Sequence, residues 1–342
     1  MPIRNNWWQA HAHVVLQAHI GRLIAWSGML DTVLFDAPLT DDERRAGLYA
    51  GRIYVHSATA ETRAFIAFAA DLIHDAFHPL DPETAQYELS VERFAEILGA
   101  LKPRFIHHPE SKRHVAAILA SHGCDLDQVH FDVPRLRSST SHNFLTTGIA
   151  YAWHPHRDTW YSAPPCQLNW WTPVFALASE NAMAFHPRYW GAPIANSSRE
   201  YNYYVWNQQH RGGHVTQYVK ADPRPLPRAT EPVELEPQLR LLPPPAGMLM
   251  FSGAHLHSSV PNTSGKTRWS IDFRTVHLGD AAAHRGAPHT DEQCTGTTMR
   301  DYLRASDHRR LPEELIAQYN DGSEHDGRLV YDPYAAAAAA SD

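Results

Sequence analysis

The spacing of apolar residues changes from a helical to a strand period near residue 140. Before that point apolar residues recur at three- and four-residue intervals, which is typical of helices with one buried face. After it, four short segments are β-branched and aromatic, or alternate polar with apolar residues, namely 144–153, 167–175, 247–251 and 267–274. Short strands at intervals indicate an antiparallel sandwich or barrel. The sequence therefore predicts a mainly β core with helices added to it.

This division predicts three regions. Residues 1–140 are predicted as a mainly helical region that packs on the barrel, with helices over about 64–73, 91–98 and 111–121 and another that starts at Asp81. Residues 141–280 are predicted as the barrel core. Residues 281–342 are predicted as a C-terminal extension, and its Ala-rich tail, from Tyr334 to Asp342, as disordered.

A helical insertion is predicted inside the core, over about residues 197–213. Ser197 and Glu200 have the Ser-x-x-Glu spacing of a capping box, which predicts that a helix begins there. Gly212 and Gly213 are predicted to end it. Its position between two polar segments of the core makes it a natural substrate-binding element, because binding residues concentrate on segments that a rigid scaffold positions.

Composition excludes several classes of function. The 342 residues include 30 Lys and Arg against 37 Asp and Glu, for a formal charge of −7. No basic run could follow a phosphate backbone, so we expect no nucleic-acid partner. No segment approaches the roughly 20 apolar residues of a membrane span, and the N-terminus does not resemble a signal peptide. The three Cys are far apart, which favours a cytoplasmic protein without disulfides.

One segment has the spacing of a metal site. His156 and Asp158 lie two residues apart directly after a predicted strand. Residues i and i+2 of an extended chain point the same way, so both side chains can reach one ion. A second His from a distant strand would complete the 2-His-1-carboxylate arrangement of non-haem iron oxygenases. The alternative is a structural ion pair in a turn.

The distant His is predicted at the end of the strand over 247–251. His257 is favoured, and His255, two residues earlier on the same face, is the rival ligand. Arg268 follows eleven residues after His257 and opens the next strand, with Ser270 on the same face. The planar fork of a guanidinium suits a dicarboxylic oxoacid, because it can form two charge-assisted hydrogen bonds to one carboxylate. A surface charge is the other reading of Arg268.

These segments together resemble the phytanoyl-CoA dioxygenase-like branch of Fe(II)/2-oxoglutarate-dependent oxygenases. The resemblance covers roughly residues 144–277. It includes the His156-Arg157-Asp158 pair, the turn at Glu180-Asn181 that leads to a strand and Pro187, and His257 followed by Asn262 and Arg268. Ala182 stands where the family usually has Gly, and Arg188-Tyr189 replaces a common Gly-Ser-His. These departures put the substrate subclass in doubt more than the cosubstrate.

The resemblance implies a fold, cofactors and a reaction. The fold would be a double-stranded β-helix, a jelly-roll barrel like that of cupins. Fe(II) would be held by His156, Asp158 and His257, and 2-oxoglutarate by Arg268, with Ser259 also in contact. The reaction would consume O2, release succinate and CO2, and hydroxylate a substrate. Asp158 favours hydroxylation over halogenation, because related halogenases have a small residue there; desaturation and ring formation remain open.

Other polar and aromatic residues are candidates for the same pocket. Gln167, Asn169 and Trp171 share one face of the strand that follows the ligand segment, so they are predicted to lie near the cosubstrate; ordinary barrel filling is the alternative. Tyr201 and Tyr203 of the insertion, with Trp171, are predicted to contact a ring-containing small-molecule metabolite; core packing is the other interpretation of the aromatic residues in the insertion.

Two other functions remain open at this stage. A cupin-like metal enzyme that does not use an oxoacid is one, although Trp160 stands where such proteins commonly have Glu after the His-x-His pair. A barrel that binds ligands without turnover is the other, and release of succinate would exclude it.

Overall fold

The computed structural model describes residues 32–147, 149, 154–210 and 213–320. The predicted disordered tail and most of the strand predicted over 144–153 lie outside these residues. The described part is a mixed α/β structure whose main element is a large, almost wholly antiparallel sheet. No described helix is both long and apolar enough to span a membrane.

The described helices lie mainly before the ligand segment, as the spacing of apolar residues predicts. They are α1 (Asp41–Tyr49), α2 (Ala60–Phe77), α3 (Val91–His107), α4 (Pro109–Ser121), α5 (Tyr203–Gln209), α6 (Leu278–Ala282) and α7 (Glu313–Ala317). The predicted helices over 64–73, 91–98 and 111–121 are confirmed as parts of α2, α3 and α4.

The helix predicted to start at Asp81 is wrong. Asp81 does begin a turn, since its side chain accepts from the Glu83 amide at 2.9 Å. Only a short 3-10 helix follows, at Ala85–Tyr87. Ser90 already caps α3 by accepting from the Arg93 amide at 3.2 Å, so the chain has room for one turn alone.

The described strands form two sheets. They are β1 (Val33–Phe35), β2 (Ile53–His56), β3 (Val129–Phe131), β4 (Arg135–Ser139), β5 (Leu168–Pro173), β6 (Met183–Phe185), β7 (Leu239–Leu241), β8 (Met248–Ser252), β9 (His257–Ser259), β10 (Arg268–His277) and β11 (Leu303–Arg304). The predicted strands over 167–175, 247–251 and 267–274 are confirmed as β5, β8 and β10. Strands β1 to β4, β7, β9 and β11 were not predicted, because each is short and lacks clear alternation.

The large sheet has the order β1-β2-β8-β5-β10-β3-β11, and β4 also pairs with β10. Strand β10 is central: β5 pairs with one edge, and β4 and β3 share the other. The small sheet has the order β7-β6-β9 and is antiparallel. Both the region before residue 140 and the region after 280 contribute strands to the large sheet, and the three-region division stays a prediction.

Alternation along β10 places different chemistry on the two faces of the large sheet. Trp269, Ile271 and Phe273 are buried in the same apolar cluster as the residues of α2, α3 and α4. The alternate residues Arg268, Ser270, Asp272 and Arg274 line a cavity, to which Phe273 alone of the three apolar residues also contributes. A strand turns successive side chains to opposite faces, so the helices cover one face and leave the polar face for a site. A second apolar cluster joins the two sheets.

The described part of two further predicted elements differs from expectation. Residues 144–147 form bends and irregular backbone rather than a strand. In the insertion, the capping box at Ser197 is wrong, since only a short 3-10 helix, Ser198–Glu200, follows it. Helix α5 is capped by Asn202, whose side chain accepts from the amides of Tyr204 and Val205, both at 3.0 Å. Asn is as good an N-cap as Ser, and here it lies one turn later.

Candidate metal and oxoacid site

Two distant His residues are joined by backbone hydrogen bonds. The His156 amide donates to the His257 carbonyl and the His257 amide to the His156 carbonyl, both at 3.0 Å. Residues paired this way in an antiparallel bridge direct their side chains to the same side. The ring centroids are accordingly 4.4 Å apart. The small sheet also fixes His257, because His257 begins β9 and pairs there with Phe185 of β6.

Each of these imidazoles is held in one tautomer. Nδ1 of His156 lies 2.9 Å from the His154 carbonyl oxygen, and Nδ1 of His257 lies 2.9 Å from that of His255. A carbonyl only accepts, so Nδ1 carries the hydrogen and Nε2 keeps its lone pair. Burial, helped by His156, lowers the pKa of His257 to about 4. His257 is therefore neutral near pH 7, as a metal ligand must be.

Asp158 completes the group. Its Oδ1 lies 3.5 Å from Nε2 of His156 and 3.9 Å from Nε2 of His257. All three residues are buried, and one ligand atom from each lies within 4.8 Å of the others. His255, the rival, lies outside this group, and its Nε2 is 3.0 Å from the Gly51 carbonyl oxygen. The structure thus brings together the three residues that the sequence singled out.

The second oxygen of Asp158 is held by the protein. Oδ2 accepts from Nδ2 of Asn169 at 2.7 Å and from Nε2 of Gln167 at 3.0 Å, and Nε of Arg274 lies 3.5 Å away. Burial opposes ionisation, but Arg274 and the two imidazoles outweigh it and hold the pKa of Asp158 far below its usual range. The structure therefore gives Gln167 and Asn169, predicted as cofactor contacts, a role in holding this carboxylate.

Arg157, between the two ligands, ties their segment to the rest of the chain. It is completely buried, and its Nη2 donates to the carbonyls of Tyr189 and Ala192 at 2.7 and 2.8 Å. Nη1 donates to the Ala254 carbonyl, three residues before His257. Nε donates to Asp291 at 3.2 Å. One guanidinium thus braces both ligand segments.

Glycine allows a close approach where these two segments meet. The Asp158 amide donates to the Gly253 carbonyl at 2.8 Å. A Cβ at Gly253 would lie 3.1 Å from Nε2 of Gln167 and 3.3 Å from Cβ of Asp158. These contacts are tighter than ordinary van der Waals packing, so a larger residue would displace the carboxylate or the amide.

Arg268 lies along the polar face of β10 as expected. It is buried; Nη1 donates to the Asn181 carbonyl at 3.0 Å and Nη2 to Oγ of Ser259 at 3.1 Å. Among the described residues, neither its Nε nor Oγ of Ser270 has a partner. Burial lowers the pKa of Arg268 to about 10, so it stays charged at neutral pH. Cζ of Arg268 lies over the ring of Trp171, 5.8 Å from the ring centroid.

One cavity of about 330 Å³ is lined both by Arg268 and by the three candidate metal ligands, His156, Asp158 and His257, which are called the metal group below. Its wall includes every residue predicted for the site: His156, Asp158, His257, Arg268, Ser259, Ser270, Gln167, Asn169, Trp171, Tyr201 and Tyr203. Tyr203 contributes to the wall while its hydroxyl donates to Asp301. Tyr161 is also part of the wall, and its ring centroid lies 5.5 Å from that of His156.

Sequence reasoning missed several charged and polar residues of this wall: Lys102, Asp132, Arg274 and Tyr302. Lys102 had a usable signal, because it lies on the buried face of α3 with Leu98 and Phe105, where a charged residue is exceptional. Burial, and then Arg137, lower its pKa to about 7. Tyr302 had no such signal, since it lies far along the chain in the C-terminal region.

Comparisons with known proteins find similarity to solved structures at low sequence identity. No protein-family model and no curated protein matches the sequence. Among solved structures, EvdO2 from Micromonospora carbonacea var. aurantiaca is 11% identical, over 71% of this chain and 94% of that one, with a TM-score of 0.38. The epimerase SnoN, in complex with Fe3+, alpha ketoglutarate and nogalamycin RO, is 14% identical over 74% and 98%, with a TM-score of 0.35. Because these sequence identities and TM-scores are low, the chemistry of this cavity follows from its own residues alone.

Proposed function

We propose that this protein is a non-haem Fe(II)- and 2-oxoglutarate-dependent dioxygenase that hydroxylates a small molecule and releases succinate and CO2. The proposal rests on one observation above all. The ligand atoms of His156, Asp158 and His257 lie within 4.8 Å of one another, in the same cavity as the buried cation Arg268.

The donor set fits Fe(II). Two imidazoles offer Nε2 and one carboxylate offers Oδ1, which is the 2-His-1-carboxylate set of non-haem iron oxygenases. Three protein ligands leave positions for a chelating oxoacid and O2. When bound, the iron supplies the oxygen chemistry that decarboxylates the oxoacid and oxidises the substrate. The protein's part is to hold the ligands, to orient both substrates and to exclude water.

The cavity also fits a dicarboxylic oxoacid. Arg268 has a buried Nε without a partner among the described residues, and Ser270 beside it has a hydroxyl in the same state. Buried polar groups of this kind are normally hydrogen-bonded, so their arrangement favours a ligand carboxylate. Ser259 already contacts the guanidinium and would share that ligand. This supports 2-oxoglutarate with its far carboxylate at Arg268 and its oxoacid end at the metal group.

The remaining wall suits a small polar substrate with an apolar face. Tyr201 and Tyr203 lie on the side formed by the insertion, where rings could stack on a substrate ring. The cavity volume is at the lower end of the range for small-molecule sites, which argues against a polymer. Asp158 as a carboxylate ligand leaves no position for a halide and so favours hydroxylation.

We further propose that the chain is a double-stranded β-helix oxygenase of the phytanoyl-CoA dioxygenase-like type. Two sheets, antiparallel except for the β1–β2 pair and joined by one apolar cluster, support the barrel. The order of the ligand pair, the distal His257 and then Arg268 supports the family.

Anaerobic titration with Fe(II) and 2-oxoglutarate tests the function. The chelate should give a weak visible charge-transfer band in wild type that is lost in His257→Ala. His255→Ala, a matched change two residues away, should keep the band if circular dichroism shows that it folds. Iron binding without a band would favour a metal enzyme that does not use an oxoacid, and absence of iron binding in wild type would refute the metal site.

A further inference from the structure

A buried tyrosine from the C-terminal region is linked to the metal group through one side chain. The Tyr302 hydroxyl donates to Oε1 of Gln167 at 2.7 Å, and Nε2 of Gln167 donates to Oδ2 of Asp158 at 3.0 Å. We infer that Tyr302 is a positioning residue which, through Gln167, fixes the Asp158 carboxylate so that Oδ1 alone is presented to the metal. This inference rests on the proposed function for the existence of the metal.

The hydrogen-bonding chemistry of the three groups permits one arrangement. An ionised carboxylate only accepts, so the atom of Gln167 that faces Asp158 must be the NH2 group. The carbonyl end then faces away and needs a donor, which the Tyr302 hydroxyl supplies. The second hydrogen of the same NH2 group goes to Oδ1 of Asn169 at 3.0 Å. Every polar atom of Gln167's side chain is therefore used.

Asn169 closes the network on the other side. Its Nδ2 donates to Oδ2 of Asp158 at 2.7 Å, while its Oδ1 accepts from Gln167. Two amide donors thus converge on one oxygen of Asp158. They leave Oδ1 as the oxygen nearest Nε2 of His156 and His257. A carboxylate held this way would bind a metal through one oxygen and could not rotate to offer both.

The fold fixes Tyr302 independently of the metal group. Tyr302 is 1% exposed and packs in a cluster with Cys166, Met299 and Leu315. The next residue, Leu303, begins β11 and pairs with Phe131 of β3. Burial also raises the pKa of Tyr302 well above its usual value, so the hydroxyl keeps the hydrogen that it donates.

Loss of the hydroxyl would release the amide. In Tyr302→Phe, Oε1 of Gln167 would be buried without its donor, which costs free energy. The amide could rotate, but that would turn an acceptor toward Oδ2 of Asp158. Either outcome loosens the carboxylate. Removing a partner that orients a metal ligand typically lowers metal affinity roughly 10- to 100-fold, and we expect about 10-fold here because Asn169 remains.

Cobalt(II) alone, titrated into the full chain freed of metal, tests the inference without turnover. Calorimetry should give about 10-fold weaker binding in Tyr302→Phe, with a changed visible d–d spectrum. Tyr319→Phe is the matched control: its hydroxyl donates to the Ala281 carbonyl at 2.7 Å and lies beside the Cys166 thiol in the same apolar cluster, but it is not one of the hydrogen-bond partners of Gln167. It should bind cobalt as wild type does.

A double-mutant cycle separates positioning from general loosening. In a Gln167→Leu background, Tyr302→Phe should weaken cobalt binding no further, because the connection to Asp158 is already absent. Equal affinity and spectrum in wild type and Tyr302→Phe would overturn the inference and leave the proposed function intact. Strictly additive losses in the cycle would also overturn it. If wild type binds no cobalt, the metal site itself is refuted, and the inference with it.

Discussion

Replacing Asp291 with Asn should destabilise the protein strongly, although Asp291 is not a proposed metal ligand. Oδ2 of Asp291 accepts from Nε of Arg157 at 3.2 Å and from the Ile194 amide at 2.9 Å. Oδ1 accepts from Nε1 of Trp160 at 2.6 Å. In Asn, one of these oxygens becomes an NH2 group, so at least one buried donor would face another donor.

The size of this destabilisation follows from the burial of the Arg157–Asp291 ion pair. The side chains of Arg157 and Asp291 are 1% and 4% exposed, so water cannot replace the lost charge. Removing one member of a buried ion pair costs about 3–5 kcal/mol. We expect the lower value, about 3 kcal/mol, because three backbone carbonyls still accept from Arg157. At about 2 °C per kcal/mol for a chain of this size, the melting temperature should fall by about 6 °C.

Thermal unfolding of the metal-free protein, followed by circular dichroism, measures this effect. Asp75→Asn is the control, because Asp75 forms an ion pair with Arg104 whose side chains are 64% and 51% exposed, and exposed pairs contribute little. It should melt as wild type does. A melting temperature for Asp291→Asn within about 2 °C of wild type would refute the reasoning that Arg157 depends on this partner.

Two further predictions concern the oxoacid. Arg268→Lys keeps the charge but loses the planar fork, so the affinity of the metal-loaded protein for 2-oxoglutarate should fall roughly 10- to 100-fold by calorimetry; an unchanged affinity would place the carboxylate elsewhere. Lys102 is protonated below its lowered pKa of about 7, so 2-oxoglutarate should bind more weakly as the pH rises from 6 to 8. Lys102→Met should remove that dependence, and a wild-type affinity that is flat with pH would show that Lys102 does not act on the anion.

The long elements of the fold were predictable because each carries its own signal. Helices α2 and α3 have one continuous apolar face, and β10 alternates strictly, so local spacing indicates both the element and its buried side. Strands β1, β3 and β11 have two or three residues each, too few for a period to show. They form because longer strands offer them paired edges, and that information is tertiary.

The residues of the site also fall into those that the sequence could predict and those that it could not. His156 and Asp158 are close in sequence, and His257 and Arg268 have a recognisable spacing, so the sequence could single them out. The residues that hold them could not be found this way, because Arg157 with Asp291 and Gln167 with Tyr302 are pairs more than 130 residues apart. Nothing in the local chemistry of Asp291 or Tyr302 distinguishes them from other polar residues of the C-terminal region.

Two of the side chains that hold the metal ligands in place come from the C-terminal region, far from the ligand segment in sequence. The ligand segment has little regular structure of its own, since His156 forms an isolated bridge and Asp158 starts a 3-10 helix. Its geometry therefore depends on side chains that reach it from the C-terminal region, Asp291 through Arg157 and Tyr302 through Gln167. Because both contacts are buried, loosening that region would release both at once. Variants there should accordingly affect metal affinity and stability together, whereas Arg268→Lys should weaken cosubstrate binding without changing metal affinity.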